Sequence, residues 1–205
     1  MHNNGSRATN YKKQPMRTTM KKSLDKMTLA ELWELFPITF CGPSERFAEV
    51  FADEERELKS LLGSRAKRIS HIGSTAIRGI KTKPIIDILI EADSADFEAI
   101  KNALVADGRI LMSESPDRLS LNKGYTADGY AENVFHIHVK KPGDCDELYF
   151  RDFLNDNPGL AAEYERLKIA LYERHNPDRD AYTAGKKDFV AEVVRQARQK
   201  YAGRY

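Results

Sequence analysis

The run His71-Ile72-Gly73-Ser74-Thr75 is followed by Lys83-Pro84-Ile85-Ile86-Asp87-Ile88-Leu89-Ile90, which joins a phosphate-sized turn to a strand that carries a carboxylate. Gly73 lets the backbone pass close to a ligand, and Ser74 and Thr75 offer hydroxyl and amide donors of the kind a triphosphate needs. Asp87 stands in an apolar strand, where a carboxylate must be ion-paired, hydrogen-bonded or metal-bound to tolerate burial. Strand side chains alternate, so the position two residues on shares the face of Asp87. That position is Leu89, where a second carboxylate would complete a metal-holding pair. Phe135-His136-Ile137-His138-Val139 sets two imidazoles on one face of a second strand, able to chelate a metal or to place a base. Neutral histidines that hydrogen-bond turns are the structural alternative for this pair. His71, just before the turn, is available to either arrangement. Arg78, Lys81 and Lys83 on the connecting loop are three cations that could face phosphates. In Tyr182-Thr183-Ala184-Gly185-Lys186, the lysine is a further group able to reach one.

These residues need elements to carry them. Residues 44–62 have apolar side chains at helical spacing and end at Gly63, which predicts a long helix. Residues 65–72 predict a strand entering the turn, and 84–91 a strand too apolar to face solvent on either side. A helix is expected over 93–108, then strands at 109–112, 119–123 and 134–140, separated by turn signals such as Asp128-Gly129. From Glu147 the pattern is helical: 148–155, 159–174, and 178–199 in one or two pieces around Gly185. Tyr164 and Lys168 fall in this stretch and read as packing or surface residues. Thr28 with Glu31 has the form of a capping box, and residues 1–27 before it read as a weakly ordered tail. Helix first, strands in the middle and helices last predicts an α+β fold in one domain over 28–200, with a helical C-terminal third.

Of 205 residues, 33 are basic and 31 acidic, a balance that gives no case for binding nucleic acid through bulk charge. Cys41 and Cys145 lack the spacing of a zinc knuckle or a disulfide framework, so reduced thiols in a cytoplasmic protein are expected. No apolar stretch reaches the ~20 residues of a membrane helix.

With these motifs in view, the chain resembles the GrpB family, a branch of the nucleotidyltransferase superfamily also found fused to dephospho-coenzyme A kinases. The resemblance runs through HIGST, KPIIDILI, KGYTADGYAENVFHIHV, DELYFRDFLNDNP, EYERLK and RDAYTAGKKDFV in that order, from about residue 33 to 197. Arg78, where the family usually has proline, and the long N-terminal tail depart from it. The resemblance implies a nucleotidyltransferase-like mixed β-sheet core with packed helices, and a cleft for a nucleoside triphosphate and a divalent metal, Mg²⁺ or Mn²⁺, with Zn²⁺ suited to histidines. It implies no particular reaction. The expected activity is metal-dependent transfer of a nucleotidyl group to a small-molecule acceptor. Asp87 and His138 are the catalytic residues, and Asp87, His136 and His138 hold the metal. His71, Gly73, Ser74, Thr75, Lys83, Tyr182 and Lys186 bind the nucleotide. The alternatives are a non-catalytic nucleotide- or coenzyme-binding module, motivated by Leu89, and a metal-dependent hydrolase built on His71, His136, His138 and Asp87.

Overall fold

The structure, a computed structural model, describes residues 22–205. The expected tail therefore lies outside the described residues up to residue 21, while Leu24–Lys26 form a 3₁₀ turn. Thr28 caps α1 (Leu29–Leu35) in the expected capping box: its hydroxyl accepts from Glu31 N at 3.3 Å, and its own N–H donates to the Glu31 carboxylate at 2.6 Å. The long helix α2 (Arg46–Leu62) ends at Gly63, whose φ of 56° is open to glycine at little cost.

Five strands follow: β1 (Arg68–Ile72), β2 (Ile86–Glu91), β3 (Ile110–Ser115), β4 (Arg118–Thr126) and β5 (Gly129–Lys140), with α3 (Phe97–Ala106) between β2 and β3. They form one mixed sheet in the order β1-β2-β5-β4-β3, in which β2 and β5 are parallel and the other pairs antiparallel. The β4–β5 hairpin is longer than the expected strands. Its outer part, through Tyr130 to Asn133, is half-buried or exposed and lacks the apolar run that marks a strand in sequence. The C-terminal third is helical: α4 (Asp146–Asp156), α5 (Pro158–His175), α6 (Arg179–Ala184) and α7 (Lys187–Lys200). The chain breaks at Gly185 as anticipated, and a Cβ there would lie 2.4 Å from a Leu171 methyl, so the end of α6 packs closely on the α5 leucine. None of the described helices is long and apolar enough to cross a membrane.

The sheet separates two cores. Ile69, Ile86, Ile88, Ile90, Leu119, Leu121, Phe135, Ile137 and Val139 pack against α2 and α3. The opposite face carries Ile72 and Leu89 into a second core with α4, α5 and α7. Since the lateral partners Asp87 and His136, Leu89 and His138, and Asn122 and His136 share a side, this second face also holds the polar residues of interest.

A buried ion pair fixes α2 to the sheet. Arg109, with its side chain fully buried, donates to Glu54 at 2.6 Å, and Lys123 of β4 donates to the other Glu54 oxygen at 2.5 Å. Removing one partner of such a pair strands a buried charge. Glu54→Ala is expected to lower the unfolding free energy by about 3–5 kcal/mol in denaturant titrations, and Glu54→Leu combined with Arg109→Met to recover most of that loss.

Candidate functional site

The turn after β1 packs directly on Asp87. Gly73 has φ 69°, and a Cβ built on it would lie 2.1 Å from Asp87 Oδ2, so both conformation and space require glycine. The turn's hydroxyls are already engaged. Thr75 Oγ1 donates to Ile85 O at 3.1 Å and accepts from His71 Nε2 at 2.9 Å, and Ser74 bonds the Thr82 hydroxyl, which in turn donates to Lys83 O at 3.1 Å. Ser74 and Thr75 thus anchor the loop that delivers Lys83 and β2, rather than aiming their hydroxyls at a ligand. His71 pairs with Ile88 across the sheet and faces α2, where its ring stacks on Phe51 at 4.9 Å. It does not join the Asp87 face. Burial pushes its pKa down to about 4, with Arg151 adding to the shift against the opposing pull of Asp87, so it is neutral at pH 7.

β5 lies beside β2 and brings the two strand histidines to Asp87 and Leu89. His136 Nδ1 is 3.2 Å from Asp87 Oδ1, and its Nε2 is 2.8 Å from the Tyr125 hydroxyl. These partners assign the proton: Nδ1–H donates to the carboxylate and Nε2 accepts from tyrosine. Burial acts to raise the Asp87 pKa, but the hydrogen bond from His136 and the charges of the histidines and Lys83 outweigh it and hold the carboxyl below its usual value. His138 Nδ1 accepts from Arg118 at 3.0 Å, which leaves its proton on Nε2. Burial pushes its pKa to about 4, Asp87 opposing and Arg118 assisting.

The expected metal shell of Asp87, His136 and His138 does not form. Among the described residues no group of three His, Cys, Asp or Glu side chains is placed to hold an ion. The physical reason is local: Asp87 Oδ1 is taken by His136, His138 has its lone pair on Arg118, and Leu89, at the second carboxylate position, is fully buried in the second core. This donor set does not suit hard Mg²⁺ or Mn²⁺, and Zn²⁺ would have to displace the bonds of both imidazoles.

Cations gather instead. Lys83 and Lys186 have their ammonium groups 5.3 and 4.5 Å from the centre of the Tyr182 ring, whose side chain is buried. Burial pushes Lys83 down to about 8, with Lys186, Arg179 and Lys168 adding repulsion and Asp87 opposing it. Burial also lowers Lys186, against the pull of Asp87. Lys168, 2% exposed, donates to Lys81 O at 2.6 Å and lies 4.9 Å from the Tyr164 ring centre. Burial takes its pKa to about 8, with Glu165 opposing. Arg179 donates to Phe36 O at 3.1 Å and reaches the Tyr125 hydroxyl. Arg179 and Tyr125 are absent from the residues picked out in sequence, and Lys168 was read there as a packing or surface residue. Lys168 had a readable signal, since it occupies the buried α5 stripe of Ala161, Tyr164 and Leu171, whereas Arg179 and Tyr125 reach the site only through the fold.

Gly73→Ala is expected to push Asp87 off His136, with a fall in melting temperature and a changed His136 imidazole resonance in NMR spectra; an unchanged His136 environment would show that the contact is relaxed in solution.

Residues 37–196 match the family model described as GrpB protein. The glutamate-rich protein GrpB of Alkalihalophilus pseudofirmus is 34% identical over 168 residues, which take in 75% of this chain and 91% of that protein. A UPF0157 protein of Pseudomonas aeruginosa is 35% identical over 151 residues, covering 72% of this chain and 62% of the relative. The crystal structure of the conserved protein GrpB from Enterococcus faecalis is similar at a TM-score of 0.69 and 26% identity, over 80% of this chain and 99% of that one. The Cid1 poly(U) polymerase shows a lower likeness, TM-score 0.47 at 13% identity over 76% of this chain and 51% of that one. The family model spans most of the chain, and the GrpB relatives match both its sequence and its fold: the chain belongs to the GrpB family.

Proposed function

We propose that the Asp87 face binds a nucleoside triphosphate and that the protein is a nucleotidyltransferase-like enzyme acting on a small hydroxyl or amine acceptor. The observation that carries this reading is a carboxylate held ionised by His136, closed on one side by the Gly73 turn and flanked by Lys83 and Lys186. In this reading Lys83 and Lys186 take the charge that develops on the phosphates, and Tyr182 fixes where the two ammonium groups sit. The acceptor oxygen or nitrogen attacks the α-phosphorus, the bond to the β-phosphate oxygen breaks, and pyrophosphate leaves with that electron pair. Asp87, aligned by His136, receives the acceptor's proton. In this reading His138, with its lone pair on Arg118, orients the face. Cys41 and Cys145, both free thiols, suit a reducing cytoplasm.

A second reading, nucleotide or coenzyme binding without transfer, is favoured by Leu89, which fills the second carboxylate position with a fully buried apolar side chain. The two readings separate in one assay. Pyrophosphate release from each nucleoside triphosphate, with a pool of small hydroxyl and amine metabolites as acceptors, is expected for the wild type and lost in Asp87→Asn. The variant's melting temperature, measured alongside, separates lost turnover from lost fold, and nucleotide binding is expected to be retained. Nucleotide binding with no pyrophosphate from any pool would establish the second reading, and a rate untouched by Asp87→Asn would remove Asp87 from the chemistry.

A further inference from the structure

We infer that the Asp87 face is a polyanion site in which Lys83, Lys186 and Arg179 supply the positive charge that a divalent metal would bring, so that the phosphates enter without metal. This rests on the reading that the ligand is a nucleoside triphosphate. The charge balance of the face carries it. Lys83 has Lys186, Arg179 and Lys168 near enough to repel it and Lys168 has Lys186, while the carboxylates acting on the three lysines are Asp87 and Glu165. Glu165 is further engaged by the Lys81 backbone N–H. Cations thus outnumber carboxylates where water is partly excluded, and they repel one another.

Such a cluster carries a repulsion that a ligand bringing negative charge relieves. A dication would have to enter a place already too positive, with no free pair of carboxylates to receive it and both histidines committed to other partners. A triphosphate meets the opposite situation: each of its charges relieves a repulsion that the folded protein already carries, and the two Tyr182-stacked ammonium groups offer charge-assisted hydrogen bonds. Arg179, anchored on Phe36 O beside Tyr125, closes the cluster on the β4 side. Chelation by Mg²⁺ halves the net charge of a fully ionised nucleoside triphosphate, so the chelated form is the poorer ligand here.

The test is calorimetric titration of the full chain with ATP, GTP, CTP and UTP, and with inorganic tripolyphosphate, each in EDTA and in excess Mg²⁺. At least one triphosphate is expected to bind in EDTA as tightly as in Mg²⁺ or more so. Lys186→Met is expected to weaken that binding roughly tenfold or more. The same variant should leave the ligand-free melting temperature unchanged or raised, which distinguishes a lost ligand contact from a lost fold. Binding of a nucleoside triphosphate only in the presence of Mg²⁺ would overturn the inference and leave the nucleotide reading standing. Binding of tripolyphosphate in EDTA with no nucleotide bound would uphold the anion site and overturn that reading. Absence of all binding, or affinity indifferent to Lys186→Met, would overturn the inference.

Discussion

A carboxylate stays ionised inside an apolar strand only if its surroundings hold the charge, and the arrangement around Asp87 meets that requirement from several directions. β5 lies parallel to β2 and brings His136 level with Asp87, so an imidazole N–H is supplied from the neighbouring strand. The turn after β1 closes the other side, where only glycine leaves room for the carboxylate. Lys83 arrives from the loop that Ser74 and Thr75 anchor, and α6 and the residues after it deliver Arg179, Tyr182 and Lys186 from the far end of the chain. The ionised Asp87 and the crowd of cations thus depend on each other: the carboxylate steadies ammonium groups that would otherwise repel without relief, and they help to keep it charged.

The two faces of the sheet divide the labour. Against α2 and α3 the strands present an almost wholly aliphatic surface, and the buried Glu54–Arg109 pair ties α2 to the end of α3. The opposite face gives up part of its packing to polar groups, with Leu89 and Ile72 making the remaining contact with the C-terminal helices. Histidine in the two places beside Asp87 and Leu89 changes the character of the site. His136 is held by a hydrogen-bond partner on either side and His138 by Arg118, which suits orientation more than metal coordination.

Much of this arrangement could be read from the residues. The alternation of KPIIDILI placed Leu89 on the face of Asp87, and that of FHIHV placed both histidines together; the register of β2 with β5 joins the two patterns. Gly63 and Gly185 marked helix ends, and the Thr28 capping box formed. What escaped was decided by tertiary neighbours. His71 precedes the turn, yet strand alternation turns it to the α2 face, one residue out of phase with Ile72 and Asp87. The hydroxyls of Ser74 and Thr75 looked free for phosphate because their partners, Thr82 and Ile85, are brought to them only by the folded loop. Glu54 sits among the apolar residues of α2 and became meaningful only with Arg109 opposite it, some fifty residues along the chain. Arg179 and Tyr125 carry no local mark of a site at all.

The protonation state of the ammonium groups facing Asp87 governs this site, and the pH dependence of metal-free ATP affinity reads that state. Lys83 has its pKa pushed down to about 8 in the ligand-free protein, and an anion can only raise it, so protonated lysine is the binding form. Measured in EDTA from about pH 7.5, where ATP is fully ionised, to about pH 10, below the ordinary lysine value, affinity is predicted to hold up to about pH 8 and then to fall, with proton uptake on binding in the upper range. Affinity that stays flat or rises across this window, with no proton uptake, would contradict a site built on these lysines.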